Sequence, residues 1–175
     1  MKLNQRTFIT QTDGVFAAQL EEYGFSLDGD DHEDDWHVCR RYRSSEQYIE
    51  ITADCHFRDG DPECRVILGV GSNEWPECDW NRIALWRLSG TNSNYPFGTP
   101  NDIPKVLRKM LHDLLYYAKD FLNGDLAHFL ETLATQTRER EPYKTYSPQS
   151  DGSYETIIDP ESQALKERYT KPINE

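Results

Sequence analysis

Five side chains able to move protons or hold charge fall on one face of two adjacent segments: His37, Arg41, Glu50, Asp54 and His56. Residues 36–44 and 47–57 both alternate between apolar and polar positions, and a tight turn near Ser45 and Glu46 joins them as a β hairpin. In that hairpin His37 faces Asp54 and Arg41 faces Glu50. A carboxylate that orients an imidazole is the arrangement a general base requires. The same pairs are also ordinary cross-strand stabilisers, worth under about 1 kcal/mol each on a wet face. No Gly-x-Ser-x-Gly elbow, P-loop or dinucleotide glycine motif accompanies them. A catalytic reading thus rests on His37, Asp54 and His56, with Glu50 and Arg41 beside them. The stabilising reading is the plainer one.

Metal chemistry is the next test. A zinc site would draw on Cys55, Cys64 and Cys78, with Cys39 on the neighbouring strand. Neither C-x-x-C nor H-x-x-x-H occurs, and alternation sends Cys55 and His56 to opposite faces. Buried, reduced, structural thiols are therefore expected, with no metal and no cofactor. Asp59, Asp61 and Glu63 have the alternate spacing of a calcium loop. Cys64 stands where that loop needs Gly, however, and Val70 where it needs Glu. The carboxylate run in residues 28–35 reads as an extended, solvated loop.

These residues need a scaffold to hold them. The hairpin places Val38 opposite Ala53, Tyr42 opposite Ile49 and Trp36 opposite Cys55 on an apolar face. Arg40 also falls there and must reach a carboxylate or the sheet edge. Antiparallel pairing of residues 64–70 sets Val66, Leu68 and Val70 beside Cys55, Ala53 and Ile51. Residues 80–88 suit a fourth strand, or a short helix capped by Asp79; the strand is preferred. A first helix over 13–23 is capped by Thr12 or Asp13 and closed by Gly24 with Phe25 behind it. A long apolar-faced helix over 104–122, capped by Asp102, is followed by one from Asp125 to about residue 140. The expected fold is α+β: an antiparallel meander of three to four strands, covered on one face by a helix hairpin plus the N-terminal helix. Residues 1–140 form the single domain. Residues 141–175 are a C-terminal arm with a short helix starting at Asp159-Pro160, and it wraps the domain or stays mobile. Trp75, Trp80 and Trp86 are expected to fill the core under an irregular loop.

The chain of 175 residues carries 31 acidic against 19 basic side chains, a net charge of −12. Such a surface repels phosphate backbones and anionic headgroups, so neither nucleic acid nor membrane is an expected partner. A basic protein is, with Asp30, Asp31, Asp34, Asp35 and the adjacent Trp36 as its contact surface. Four cysteines and the lack of an apolar N-terminal run point to a cytoplasmic setting. In outline, though not in any motif, the architecture is similar to that of small bacterial immunity or inhibitor proteins, which neutralise toxins by binding. The expectation is accordingly a non-enzymatic, protein-binding acidic domain. The alternative is a small enzyme or ligand-binding domain on the polar sheet face, if residues 75–86 or the arm fold over it.

Overall fold

The computed structural model describes residues 4–31, 36–55, 62–91 and 94–171. After helix α1 (Gln5–Glu21) and strand β1 (Ser26–Asp31), the sheet is built on β2 (His37–Arg43) and β3 (Gln47–Asp54). Val38 lies opposite Ala53, Tyr42 opposite Ile49, Arg41 opposite Glu50 and His37 opposite Asp54, the alignment that alternation predicts. Ile49, Ile51 and Ala53 are completely buried. Strand β4 (Glu63–Val70) pairs with β3 in a register four residues from the expected one, with Val66 facing Ile51 and Leu68 facing Ile49. An even slip leaves every side chain on its own face, so the apolar pattern cannot separate the two registers.

Two further corrections concern the sheet edges. Residues 32–35 of the expected loop lie outside the described residues, and residues 28–31 belong instead to an edge strand, β1, paired with β2. Its acidity is offset by the basic strand beside it, which carries Arg40, Arg41 and Arg43; Arg43 reaches Asp28 at 3.1 Å. Asp28 falls where the pairing is irregular, between Leu27 and Gly29, and such a bulge blunts an edge against further pairing. Residues 80–88 prove to be both strand and helix. Strand β5 (Arg82–Ala84) pairs with Ile67–Gly69 and passes directly into helix α2 (Leu85–Ser89). Strand β6 (Tyr95–Pro96) pairs with the other end of β4, which brings the sheet to six strands.

The helices then cover the apolar face. Helix α1 starts well before the expected position, because Asn4 caps it by accepting the Thr7 amide at 3.0 Å. Phe8, Thr12, Phe16 and Leu20 form its buried stripe, so Thr12 and Asp13 are interior residues and not caps. Its end is as expected: Gly24 has φ +80° and Phe25 is buried behind it. The long helix breaks at Ala118 into α3 (Ile103–Tyr117) and α4 (Lys119–Leu122). Asp102 does not cap α3 with its side chain; it accepts from Thr99 and closes the short turn before the helix. Asp125 does accept the Ala127 amide, at 3.1 Å, where α5 (Ala127–Glu139) begins. Helix α3 lies against α1, and α2 touches both α3 and α5. No helix among the described residues is long and apolar enough to cross a membrane.

The arm contains more structure than its composition implies. Strands β7 (Lys144–Pro148) and β8 (Tyr154–Ile158) form a second, two-stranded sheet, and helix α6 (Pro160–Thr170) follows. Asp159 caps α6 by accepting the Ser162 amide at 2.7 Å. The helix lies along α5, where Lys166 Nζ donates to the Arg140 carbonyl and Ser162 Oγ accepts the Tyr143 amide at 2.9 Å.

Arg40 is a charge on the apolar face of β2. It finds the carboxylate it needs in α1: Nε donates to Asp13 at 2.8 Å, a terminal nitrogen takes the second oxygen, and the buried Tyr42 hydroxyl adds a bond of 2.8 Å. Burial alone would raise the Asp13 pKa, but the bonds from Arg40 and Tyr42 outweigh it and hold the carboxyl below its ordinary range. A depressed carboxylate stabilises the fold above its unfolded-state pKa, and that contribution disappears as pH falls through the folded value. Asp13→Asn is expected to cost about 1–3 kcal/mol at pH 7, a range that allows for solvent screening of the part-exposed carboxylate. Urea denaturation of both proteins at falling pH checks this: the gap should close below about pH 4.

Candidate functional site

The alternation that turns Val38, Tyr42, Ile49 and Leu68 towards the helices turns Arg41, Tyr48, Glu50, Thr52 and Arg82 to the opposite face. That face is not the open, wet surface expected. Tyr48 is completely buried and Glu50 is only 3% exposed, because residues 72–81 cross over them. Glu50 is held from both sides: Arg41 Nε donates to Oε1 at 3.0 Å and Arg82 donates to Oε2 at 3.1 Å. Burial opposes the charge on both arginines, yet Glu50 outweighs it and holds their pKa values above the ordinary guanidinium range.

The covering segment is pinned at each step. Asn81, fully buried, accepts the Tyr48 hydroxyl at 2.7 Å and donates to the Ser72 carbonyl. Tyr48 reaches it by lying flat across Gly69, its partner on β4; a Cβ on Gly69 would sit 2.1 Å from the ring. Arg43 bonds Asn73 and the Gly71 carbonyl. Asp79 contacts Arg82 at 3.5 Å and Arg140 at 3.4 Å, and it accepts the Tyr143 hydroxyl. Partial burial and that bond push the Tyr143 pKa up to about 12. Glu77 accepts the Tyr169 hydroxyl and pairs with Arg168 at 3.2 Å, so α6 also grips the segment. Of the three tryptophans expected in the core, only Trp80 is buried. Trp75 is 72% exposed, its ring stacked 6.3 Å from Tyr143, and Trp86 is half-buried.

Between the segment and the strands lies a cavity of about 470 Å³, with His37, Arg41, Thr52, Arg65, Trp75 and Cys78 in its lining. A second recess of about 390 Å³ shares Arg65, Asp79 and Arg82 with it and adds Arg140 and Asn94. The buried Asn94 Oδ1 there has no hydrogen-bond partner.

The structure thus brings together three of the residues singled out on the polar face, His37, Arg41 and Glu50. Asp54 is opposite His37 but does not line the cavity, and His56 lies outside the described residues. Each oxygen of Glu50 already accepts from a guanidinium, which neutralises its charge. Cys55 and Cys64 lie in the apolar core, while Cys78 is across the sheet in the cavity wall, so these thiols do not converge. Burial pushes all three thiols up, which keeps them protonated at neutral pH. Asp59 and Asp61 lie outside the described residues, and Glu63 is held by Arg65. Of the acidic contact surface, Asp30 and Asp31 belong to strand β1, Trp36 is half-buried ahead of β2, and Asp34 and Asp35 are not among the described residues.

Sequence reasoning missed one surface, the β7–β8 hairpin. Asp151-Gly152 flanked by two alternating segments is a hairpin signal, but scattered prolines and charges hid it. No known protein family matches this chain, and neither a curated protein nor a solved structure does.

Gly69→Ala and Glu50→Gln test how the site is held, with Gly14→Ala as a control away from it. Gly69→Ala should cost about 2–3 kcal/mol by urea denaturation, since the new methyl collides with an anchored ring. Gly14→Ala, at an open position inside α1, should instead stabilise by about 0.5–1 kcal/mol. Glu50→Gln leaves two part-buried guanidiniums facing a neutral group and should cost about 3 kcal/mol in the same measurement.

Proposed function

We propose that this chain is a non-enzymatic protein-binding domain, and that it presents the β7–β8 hairpin to a basic partner. The observation that carries this reading is a concentration of exposed apolar surface. Tyr146, Tyr154, Ile157 and Ile158 are 64, 69, 46 and 49% exposed, all on this one hairpin. The cross-strand register puts Tyr146, Pro148, Tyr154 and Ile158 on a common face. A two-stranded hairpin with nothing against it is marginal in water, and aromatic side chains on such a face are typical binding anchors.

Charge selects the partner. Along residues 141–161 stand Glu141, Asp151, Glu155, Asp159 and Glu161 against Lys144 alone. A complementary surface is an apolar patch ringed by Lys and Arg, and the net charge of −12 would speed its approach. The locked state of Glu50 supports a structural role for that carboxylate over a catalytic one. It is the hairpin, more than the run at 30–36, that offers the desolvated centre an interface requires.

Tyr146→Ser with Tyr154→Ser tests the reading directly. Both side chains are exposed, so stability should change by no more than about 0.5 kcal/mol. Binding to the partner isolated with the wild-type chain should weaken at least tenfold, roughly what one anchor contributes. Charge reversal at Asp151 and Glu155 should slow association, most strongly at low salt. A partner that binds the double variant as tightly as the wild type would overturn the assignment. So would sedimentation showing that the hairpin joins two copies of this chain instead.

A further inference from the structure

We infer that the cavity under residues 72–81 is a binding site for a small oxyanion-bearing molecule, one whose recognised group is a phosphate or a carboxylate. Three guanidiniums line the cavity, from three different strands: Arg41 on β2, Arg65 on β4 and Arg82 on β5. Two carboxylates line it as well, Glu50 and Asp79, and both are already engaged. Arg41 and Arg82 take one oxygen each of Glu50, while Arg82, Arg140 and Tyr143 converge on Asp79.

The arginines are not used up in the same way. A guanidinium has five N–H groups in a fixed fork. Arg41 gives Glu50 its Nε and one terminal nitrogen, and Arg65 gives Glu63 the same two, which leaves a terminal nitrogen on each without an acceptor among the described residues. Thr52, aligned with Arg65 on one side and Cys39 on the other, lines the cavity with them. The site is therefore rich in donors and short of acceptors, which suits a ligand made of acceptors. A volume of about 470 Å³ admits more than an inorganic ion, within the usual range of about 300–1,000 Å³ for small-molecule sites. Trp75, at the rim and largely exposed, offers a ring face to the body of such a molecule.

The net negative charge of the chain acts against this only at a distance. Exposed carboxylates are screened beyond about 8–10 Å at physiological salt, whereas the guanidinium donors act at contact distance.

Titration with inorganic phosphate and, separately, with succinate tests the inference, followed by calorimetry and tryptophan fluorescence, with sodium chloride at matched ionic strength as reference. At least one anion should bind saturably, and which one does separates phosphate from carboxylate recognition. Arg65→Gln removes a half-exposed side chain whose partner among the described residues is Glu63, so folding is preserved; affinity should fall about tenfold, the worth of one charge-assisted bond. Arg41→Lys keeps a charge facing Glu50 but loses the fork, and should weaken binding as well. Trp75→Phe should abolish the fluorescence change while calorimetry still reports binding. The inference is overturned if neither anion gives a saturable heat beyond that of sodium chloride, or if both arginine variants bind like the wild type.

Discussion

A carboxylate in the middle of a sheet, sealed from water, sets the terms for one whole side of this molecule. Glu50 projects from β3 away from the helices and is almost entirely buried. An ionised group in that position must be paired or it does not stay ionised. Register supplies one cation, because Arg41 stands directly across from it on β2. The second comes from Arg82, and this requires β5 to dock at one place along β4. From Arg82 the alternation of charge continues to Asp79 and on to Arg140, the residue that ends α5. A single chain of opposite charges therefore runs from the sheet centre through the covering segment to a helix. Such networks add little net stability over an apolar core of equal volume. What they do fix is geometry, since each member fails without its neighbour.

The two faces of the sheet meet opposite problems with the same device. On the helix side the surroundings are apolar and the intruder is a cation, Arg40, which α1 neutralises with Asp13. On the far side the surroundings are charged and the intruder is an aromatic ring, Tyr48, which needs Gly69 beneath it and Asn81 beyond it. In both cases a residue from outside the sheet completes what the strands cannot satisfy among themselves. Packing of α1 and placement of residues 72–81 therefore depend on specific polar contacts as much as on area buried.

How much of this could be read beforehand follows from the range of each signal. The β2–β3 alignment was legible because two independent patterns, apolar pairs on one face and opposite charges on the other, demanded the same register. The β3–β4 alignment was not, since a four-residue slip preserves the face of every side chain. Helix α1 was read too short: its first turns bury Thr12 beside Phe8, and Gly14 and Asp13 resemble a boundary, although Asp13 is held there by Arg40 and Tyr42. The polar cluster around Arg41 and Glu50 was visible, whereas its cover by residues 75–86 was only one of the alternatives and the contacts that hold it were not legible. Tyr48 meets Asn81 across 33 positions and Asp79 meets Tyr143 across 64, and no local periodicity encodes contacts of that span.

Tyr143 joins the covered cavity to the exposed hairpin. Its hydroxyl holds Asp79, its ring lies against Trp80 and Trp75, and its main chain bonds Ser162 and Asp159 at the base of the β7–β8 ribbon. Above that base, the side-chain bonds of residues 144–158 stay within the ribbon or reach its neighbour Glu141. A ribbon clamped at its foot and unsupported along its length exposes tyrosine and isoleucine at a cost in solubility, which the surrounding carboxylates offset. Because the foot is rigid, a partner that docks on the ribbon has less disorder to remove than it would with a loose tail. The polar network that closes the cavity is thus also what holds the apolar ribbon in position.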